Sequence, residues 1–226
     1  MVLITGASRG IGQYLMNCFI DAGENVFGTY HTTVPVPNNE SRFAKIDITN
    51  SDEVRAWVSQ LPPEHKIILL NCAGINHNSM VHKFDLRKWK EVIDTNLNGT
   101  FNMIHAVIPR MRESGYGRII NFSSVVAQIG VPGTSAYASS KAALWGLTKA
   151  VAVENAMKGI TANSLNLGYF DIGMIKEVPE DYKKSILAKI PNGHLGDPRD
   201  IYEAVRFIMN CGYLNGVSID LNGGLL

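Results

Sequence analysis

Short runs of apolar, often β-branched residues alternate along this chain with longer stretches in which apolar residues recur every three or four positions. The short runs predict buried strands, and the longer stretches predict amphipathic helices. The predicted strands cover residues 2–5, 25–30, 42–46, 66–71, 118–123, 161–167 and 217–221. The predicted helices cover residues 11–19, 51–60, 86–112, 136–158, 180–189 and 198–210.

The alternation of strands and helices predicts an α/β fold in which helices cover both faces of a doubly wound parallel sheet of about seven strands. One connection breaks the rhythm, since residues 31–41 hold Pro35 and Pro37 and show no apolar period. Proline removes a backbone donor and interrupts helices, so the second crossover helix should be shortened or absent. No internal repeat or linker-like segment divides the chain, which predicts a single domain spanning residues 1–226.

The composition fits one globular domain and narrows the classes of partner. The chain has 226 residues, of which 46% are hydrophobic and 18% charged, and its formal net charge is +1. Such a balance gives no overall field to attract nucleic acid or an anionic membrane. Cys18, Cys72 and Cys211 are too few and too scattered for a disulfide framework, and no apolar run approaches the ~20 residues of a membrane span. We therefore expect a cytoplasmic protein.

The strongest local motif is Thr5-Gly-Ala-Ser-Arg-Gly-Ile-Gly12, which follows the first predicted strand and opens the first predicted helix. Its three glycines allow the backbone to turn tightly and to approach a pyrophosphate, whose negative charge the N-terminus of a helix favours. The alternative is a glycine-rich turn that binds nothing. The strand before the motif and the helix after it favour dinucleotide binding.

A second motif places a phenol and an ammonium four residues apart in the predicted helix 136–158. Tyr137 and Lys141 project from one helix face, where the ammonium should lower the pKa of the phenol and let it exchange a proton with a substrate. Ser124 follows a predicted strand at the sheet edge where ligands gather, so its hydroxyl can reach a substrate carbonyl. The alternatives are an exposed helix face and an ordinary turn serine, and Ser123 is a competing neighbour.

These motifs, with Asn71-Cys-Ala-Gly74, Asp94-Thr-Asn96 and Asn222-Gly-Gly224, occur in the order and at the intervals of one enzyme family. Over its full length the chain resembles the short-chain dehydrogenases/reductases, and it is most similar to the 3-oxoacyl-acyl-carrier-protein reductases. The resemblance implies a Rossmann-like fold and a catalytic tetrad of Asn96, Ser124, Tyr137 and Lys141. In that tetrad Asn96 holds a water of the proton relay, although Asn98 is near enough to compete for the role.

The function implied by the resemblance is the NADPH-dependent reduction of a ketone to a secondary alcohol. The substrate would be a 3-oxoacyl thioester, possibly carried on acyl carrier protein as in fatty acid biosynthesis, or a related small carbonyl. The same tetrad also serves alcohol or sugar dehydrogenases that work oxidatively, and a non-catalytic dinucleotide sensor is the alternative from another class. Family members are commonly tetramers or dimers that pack through the long helices, here 86–112 and 136–158.

The choice of NADP(H) over NAD(H) rests on the end of the second predicted strand. NAD-using relatives usually carry an acidic residue there, whereas this chain has Tyr30, His31 and Thr32, with Arg9 in the glycine loop. Asp47 and Ile48 resemble the adenine-binding position, although Asp47 alone would suit a turn equally well. The full predicted cofactor set is Gly6, Ala7, Ser8, Arg9, Gly10, Ile11, Gly12, Tyr30, His31, Thr32, Asp47, Ile48, Asn71, Cys72, Ala73, Gly74, Tyr137, Lys141, Gly168, Phe170 and Ile172.

Two positions depart from the family after the sixth predicted strand. Leu167 replaces a proline, and Ile172 replaces a threonine that contacts the nicotinamide carboxamide, so weaker cofactor affinity is expected. Residues 169–191 interrupt the strand–helix rhythm and are predicted to form a substrate lid.

The remaining titratable residues suggest no further chemistry. Cys72 stands where the family commonly has a second asparagine and is predicted to be a small buried residue without a redox role. The irregular spacing of His77, His82 and His105 predicts no metal site.

Overall fold

A computed structural model describes residues 1–35 and 40–226, and it confirms the predicted α/β architecture. Seven strands form one parallel sheet in the order β3-β2-β1-β4-β5-β6-β7. The strands are β1 (Val2–Thr5), β2 (Val26–Tyr30), β3 (Phe43–Lys45), β4 (Ile67–Asn71), β5 (Gly117–Ser124), β6 (Ile160–Leu167) and β7 (Ser218–Leu221). Each matches its prediction to within one residue at either end.

Helices cover the sheet and, apart from the described part of the β2–β3 connection, join successive strands. They are α1 (Gly10–Asp21), α2 (Ser51–Gln60), α3 (Leu86–Ile93), α4 (Gly99–Ser114), α5 (Val126–Ile129), α6 (Ser135–Asn155), α7 (Glu180–Leu187) and α8 (Pro198–Asn210). The bounds of α2 and α8 are those predicted, and both begin at a side-chain cap, from Asn50 and Asp197 respectively. Among the described residues, none of the helices combines the length and the apolarity that a membrane span requires.

The predicted helix 86–112 is wrong in one respect, because it is interrupted by a π-helical segment, Asp94–Asn98, between α3 and α4. A π turn holds one residue more than an α turn, and such turns are frequent at functional sites. The segment carries Asn96, which is fully buried. The predicted helix 136–158 ends earlier as an α-helix, at Asn155, and continues as a 3₁₀ turn over Ala156–Lys158.

Side chains alternate between the two faces of the sheet and form two cores. From β1, Leu3 packs with Trp57 and Met103 on one face. Val2 and Ile4 point to the other face, where they join the core that includes Phe19 and Val205. Parallel strands buried on both faces explain why these runs are almost wholly apolar.

The connection between β2 and β3 fits the predicted loss of a crossover helix as far as the structure describes it. Residues 31–35 carry no helix, and Glu40–Arg42 forms a single 3₁₀ turn before β3. The prediction also covers residues 36–39, which lie outside the described residues. All strands run in the same direction, but the order in which successive strands are added to the sheet reverses between β1 and β4. This is the position at which open α/β sheets form a ligand crevice.

Candidate active site

A cleft of about 920 Å³ opens at the carboxyl ends of β1 to β4, where the sheet order reverses. The loops after these strands form its floor, and the segment after β6 forms its opposite wall. Of the residues predicted to bind the cofactor, the cleft is lined by Gly6, Ser8, Arg9, Gly10, Ile11, Gly12, Tyr30, His31, Thr32, Asp47, Ile48, Cys72, Ala73, Gly74 and Ile172.

The glycine loop is held in place by backbone packing that leaves no room for side chains. Gly6 has a φ of +64°, and a Cβ there would lie 2.8 Å from Ala73 Cα. A Cβ at Gly12 would lie 2.3 Å from the Gly6 carbonyl oxygen. Thr5 Oγ1 accepts a hydrogen bond of 3.0 Å from the Ala73 amide and ties the loop to the end of β4. The loop therefore has one conformation that glycine alone permits.

The chemistry of this loop suits a pyrophosphate. Helix α1 begins at Gly10 in the cleft, and the side chain of its N-cap residue, Arg9, makes no capping hydrogen bond. The free amides and the helix dipole together favour an anion at this point. The residues present therefore fit the dinucleotide that the motif predicts.

Polar side chains predicted to read the adenosine end gather on the other side of the cleft. Arg9, Tyr30, His31 and Thr32 all line it. Asp47 also lines it, but its Oδ1 accepts from the Thr49 amide at 2.9 Å, as in a turn, while its Oδ2 lies 4.0 Å from His31 Nε2. Both readings of Asp47 thus have a counterpart in the structure.

Six residues of the predicted cofactor set do not line the cleft, namely Tyr137 and Lys141, which are described below, and four others. Ala7 is fully buried in the core. Asn71 donates to Asn121 Oδ1 at 2.8 Å inside the sheet. A Cβ at Gly168 would meet Asn222, and the ring of Phe170 covers Gly196. These packing contacts and this hydrogen bond are not displayed by the sequence motif, and the cofactor contacts of the four residues stay predictions, those of Gly168 and Phe170 through their backbone atoms.

The serine and tyrosine of the predicted tetrad meet at the carboxyl ends of β5 and β6. Ser124 is the last residue of β5, and Tyr137 lies in the first turn of α6. Both are almost fully buried, and the Ser124 hydroxyl is close enough to the Tyr137 phenol to act on the pKa of that phenol. The same Ser124 oxygen accepts a hydrogen bond of 3.2 Å from the Val126 amide. Ser123 instead donates to the Lys141 carbonyl oxygen at 2.9 Å, so it anchors α6 to β5 and leaves Ser124 to face the phenol.

Lys141 lies directly beneath the cleft. Its Nζ donates to the Phe122 carbonyl oxygen at 2.7 Å and lies 5.7 Å from the centre of the Tyr137 ring. A Cβ at Gly74, which lines the cleft, would lie 3.4 Å from this Nζ and 3.3 Å from Asn96 Oδ1. Glycine at position 74 therefore keeps the wall between the cleft and the two buried side chains thin.

Asn96 is fixed by hydrogen bonds to both the oxygen and the nitrogen of its side-chain amide. Its Oδ1 accepts from the Ile75 amide at 2.9 Å, and its Nδ2 donates to the Ile75 carbonyl oxygen and to Ser140 Oγ, each at 3.0 Å. Asn98, the competing asparagine, bonds to Asp94 on the exposed side of the helix. The π turn and the loop after β4 thus hold Asn96 next to Lys141.

Burial dominates the electrostatics of the tyrosine and lysine. It raises the pKa of Tyr137 to about 12, although the hydrogen bond from Ser124 acts to lower that pKa. Burial lowers the pKa of Lys141 to about 8. The net shift of the Tyr137 pKa is therefore upward, opposite to the lowering expected from Lys141, because burial of the phenol is the largest of its causes.

Sequence reasoning missed several neighbours of the site. Ser140 bridges Asn96 and the Tyr137 carbonyl oxygen, to which it donates at 2.7 Å. Tyr169, on the segment after β6, acts to raise the pKa of Tyr137. Ser140 lies inside the tyrosine–lysine motif and could have been found there, whereas Tyr169 comes from a separate element. Cys72, already part of the predicted cofactor set, is half-buried rather than fully buried as predicted. Desolvation raises the pKa of its thiol, while the Lys141 charge acts to lower that pKa.

Further missed residues line the cleft itself. Glu91, Asp94 and Thr95 reach it from the helix region that contains the aspartate–threonine–asparagine motif, so that motif was a partial signal. Met174, Lys176 and Glu177 reach it from the predicted lid. Among the described residues, no three histidine, cysteine, aspartate or glutamate side chains form a cluster that could hold a metal ion.

Comparisons with known proteins agree with this geometry. A family model described as short chain dehydrogenase matches residues 1–183. Acetoacetyl-CoA reductase from Rhizobium meliloti is 36% identical, with 99% of this chain and 97% of that protein covered. The 3-oxoacyl-acyl-carrier-protein reductase of Vibrio cholerae is 32% identical, with 100% and 96% covered.

A solved structure supports the same fold. The ligand-free aldohexose dehydrogenase of Thermoplasma acidophilum superposes with a TM-score of 0.89 at 28% sequence identity. The match covers 99% of this chain and 92% of that one. The likeness therefore extends from the glycine loop through the segment after β6 to the last strand.

Proposed function

The chain belongs to the short-chain dehydrogenase/reductase family of NAD(P)-dependent oxidoreductases, and from this membership we propose that it uses NADPH to reduce a ketone to a secondary alcohol. The observation that carries the proposal is the pairing of Ser124 and Tyr137 at the sheet edge, next to the cleft above Lys141. A bare dinucleotide-binding fold would need neither a buried phenol nor a buried ammonium at this point.

Each residue has a definite task in the proposed reaction. When bound, the reduced nicotinamide supplies the hydride. Ser124 donates a hydrogen bond to the substrate carbonyl oxygen, and Tyr137 donates the proton that completes the alcohol. The raised pKa of Tyr137, about 12, keeps the phenol protonated at neutral pH, as an acid requires. Lys141 provides positive charge beneath the phenol, and Asn96 fixes the loop after β4 beside it.

The rate of ketone reduction is expected to fall as the pH rises through about 8, because Lys141 then loses its proton and its charge. Above that pH, the fall should approach tenfold per pH unit if the neutral amine is inactive. A pH profile of kcat/KM measures this. A rate that stays constant to pH 10 would count against the role given to the Lys141 charge.

Stability should change in the opposite direction, which separates the two effects. Between pH 8 and 10.5 the unfolded chain binds a proton at Lys141 that the folded chain has released. The free energy of unfolding therefore gains from this group as the pH rises, and loss of fold is no explanation for the lost rate. Thermal unfolding across the same pH range provides the check.

NADPH is proposed over NADH because the end of β2 carries no carboxylate. Tyr30, His31 and Thr32 line the cleft there, and Arg9 reaches it from the glycine loop. A guanidinium binds phosphate well through paired hydrogen bonds, and no acidic side chain among these residues would repel it. These four side chains are the proposed site for the 2′-phosphate.

For the substrate we propose a 3-oxoacyl thioester or a related small ketone. The full-length likeness to reductases of acetoacetyl-CoA and of 3-oxoacyl-acyl-carrier-protein supports this class. The segment 169–191 is the proposed lid, since Ile172, Met174 and Lys176 line the cleft from it. Its small apolar cluster of Ile175, Ile186 and Ile190 gives the lid a core of its own. We propose separately that the acyl group can be carried on acyl carrier protein, which the turnover panel below tests.

The test is a turnover panel that contains acetoacetyl-CoA, 3-oxoacyl-carrier-protein, simple ketones and aldohexoses, each with NADPH and NADH or with their oxidised forms. We expect the highest kcat/KM with a 3-oxoacyl thioester and NADPH. Faster oxidation of an aldohexose would instead favour the dehydrogenase direction, to which the Thermoplasma enzyme points. Cofactor binding with no turnover of any substrate would favour a sensor.

A homo-oligomer is also proposed, as a dimer or tetramer. Apolar side chains lie exposed on the long helices that the resemblance implicates, notably Phe101 on α4 and Val153 on α6. Large exposed apolar groups on regular helices suit a face that another copy covers.

A further inference from the structure

The cleft binds a highly anionic cofactor in the proposed function, yet its cations are already matched with acidic groups. Arg9 and Lys176 are the lysine and arginine side chains that line it among the described residues. Arg9 Nη1 lies 3.8 Å from Glu177 Oε1, and Lys176 Nζ lies 2.5 Å from Asp171 Oδ1. Both carboxylates belong to the segment after β6. An incoming phosphate must therefore compete with acidic groups that the protein itself supplies.

The position of Glu177 opposite Arg9 is built into the fold. Glu177 ends the 3₁₀ helix Gly173–Glu177, and four of the five residues of this helix line the cleft. This helix touches the glycine loop, since a Cβ at Gly10 would lie 3.3 Å from Gly173 Cα. Ile175, in the middle of the 3₁₀ helix, is buried in the apolar cluster of the lid. The ion pair therefore joins two anchored segments.

The ion pair between Arg9 and Glu177 is weak enough for a cofactor phosphate to displace the carboxylate. Both side chains are more than half exposed, at 56% and 74%, and their separation of 3.8 Å is long for a hydrogen-bonded pair. Exposed pairs of this kind contribute little stability. A phosphate that carries nearly two negative charges and accepts two guanidinium hydrogen bonds should displace the carboxylate. Glu177 would then remain close to the phosphate and repel it.

We propose that Glu177 weakens the preference for NADPH, because its carboxylate competes with the 2′-phosphate of NADPH for the Arg9 guanidinium. Glu177 lowers the affinity for NADPH and leaves the affinity for NADH unaffected. The ratio of the Kd for NADH to the Kd for NADPH is therefore smaller than it would be without this carboxylate. This inference rests on the proposed function in one respect, namely that Arg9 meets the 2′-phosphate.

The experiment measures Kd for NADPH and for NADH by calorimetry at low salt, with the wild type, Glu177→Gln, Arg9→Gln and the double variant. Glu177→Gln should bind NADPH about two- to fivefold more tightly and NADH equally well, a range set by the usual strength of exposed ion pairs. In the Arg9→Gln background the same substitution should have no effect. Glu180→Gln is the matched control, since it removes the same charge at the start of α7, away from the residues that line the cleft.

The outcomes separate this inference from the proposal beneath it. If Arg9→Gln lowers the NADPH preference but Glu177→Gln behaves like Glu180→Gln, the role of Glu177 is overturned and the cofactor assignment stands. If Arg9→Gln leaves the preference unchanged, Arg9 does not read the phosphate and both fail. If Glu177→Gln tightens NADH as much as NADPH, the carboxylate acts on a phosphate common to both cofactors, which also overturns the specificity role.

Discussion

Replacement of Tyr137 with phenylalanine is expected to lower kcat for ketone reduction by about 10²–10⁴-fold, the usual contribution of a positioned acid or base. The substitution removes one oxygen from a side chain whose ring is almost fully buried between β5 and the segment after β6. Packing is largely retained, so the fold should survive. Affinity for NADPH should change far less than kcat, because the glycine loop and α1 lie elsewhere in the cleft.

Steady-state rates with the best ketone of the panel, together with a fluorescence titration of NADPH, measure the two effects. Tyr213→Phe is the matched control, since it removes the same hydroxyl from a fully exposed tyrosine. A Tyr137→Phe enzyme that retains a tenth or more of the wild-type rate would show that another group delivers the proton. Tyr169, which faces Tyr137, is then the first residue to substitute.

Substitution of Gly12 by alanine is expected to abolish measurable cofactor binding and to lower the free energy of unfolding by about 1–3 kcal/mol, as overpacking commonly does. A Cβ at this position would lie 2.3 Å from the Gly6 carbonyl oxygen and 2.9 Å from the Gly6 carbonyl carbon. Neither atom can move away easily, because Gly6 is itself packed against Ala73. The glycine loop must therefore shift away from the pyrophosphate position.

Gly146→Ala is the control for this experiment. Gly146 also lies within a helix, but a Cβ there meets nothing within 4 Å. Alanine should stabilise that helix by about 0.5–1 kcal/mol through its better helix propensity. Thermal unfolding resolves both changes, since about 1 kcal/mol moves the Tm of a chain of this size by about 2–4 °C. If Gly12→Ala bound NADPH normally, the close packing of the loop would not be needed for the site.

The fold could be predicted closely because its strands are buried on both faces. Their apolar runs are short, and β1 and β4 end at Thr5 and Asn71, where polar and glycine-rich loops begin. The glycine loop, Ser124 and the tyrosine–lysine pair could be proposed as site residues from local patterns as well. They lie at strand ends or at helical spacing, and such local patterns are what a sequence displays.

What could not be predicted depends on contacts between distant segments. The pKa of Tyr137 is raised chiefly by burial among elements that are far apart in the chain, which the local spacing to Lys141 does not display. The ring of Phe170 packs over Gly196, a contact that no local pattern indicates. The pairing of Arg9 with Glu177 joins the first loop to the lid, and no periodicity connects them. Such features follow from tertiary packing alone.

The π turn at Asn96 also constrains how this helix can change its length. The turn, Asp94–Asn98, holds one residue more than an α turn, so the residues before and after it follow two different helical phases in the sequence. Deleting one residue inside the turn would restore a regular α-helix with little change in the relative orientation of the two halves, but it would displace the buried Asn96. Deleting one residue from either flanking helix would instead rotate one half by about 100° against the other. Either the face that bears Glu91 and Asp94 or the face that packs into the core would then be turned away, so we expect single-residue deletions in the flanking helices to be excluded.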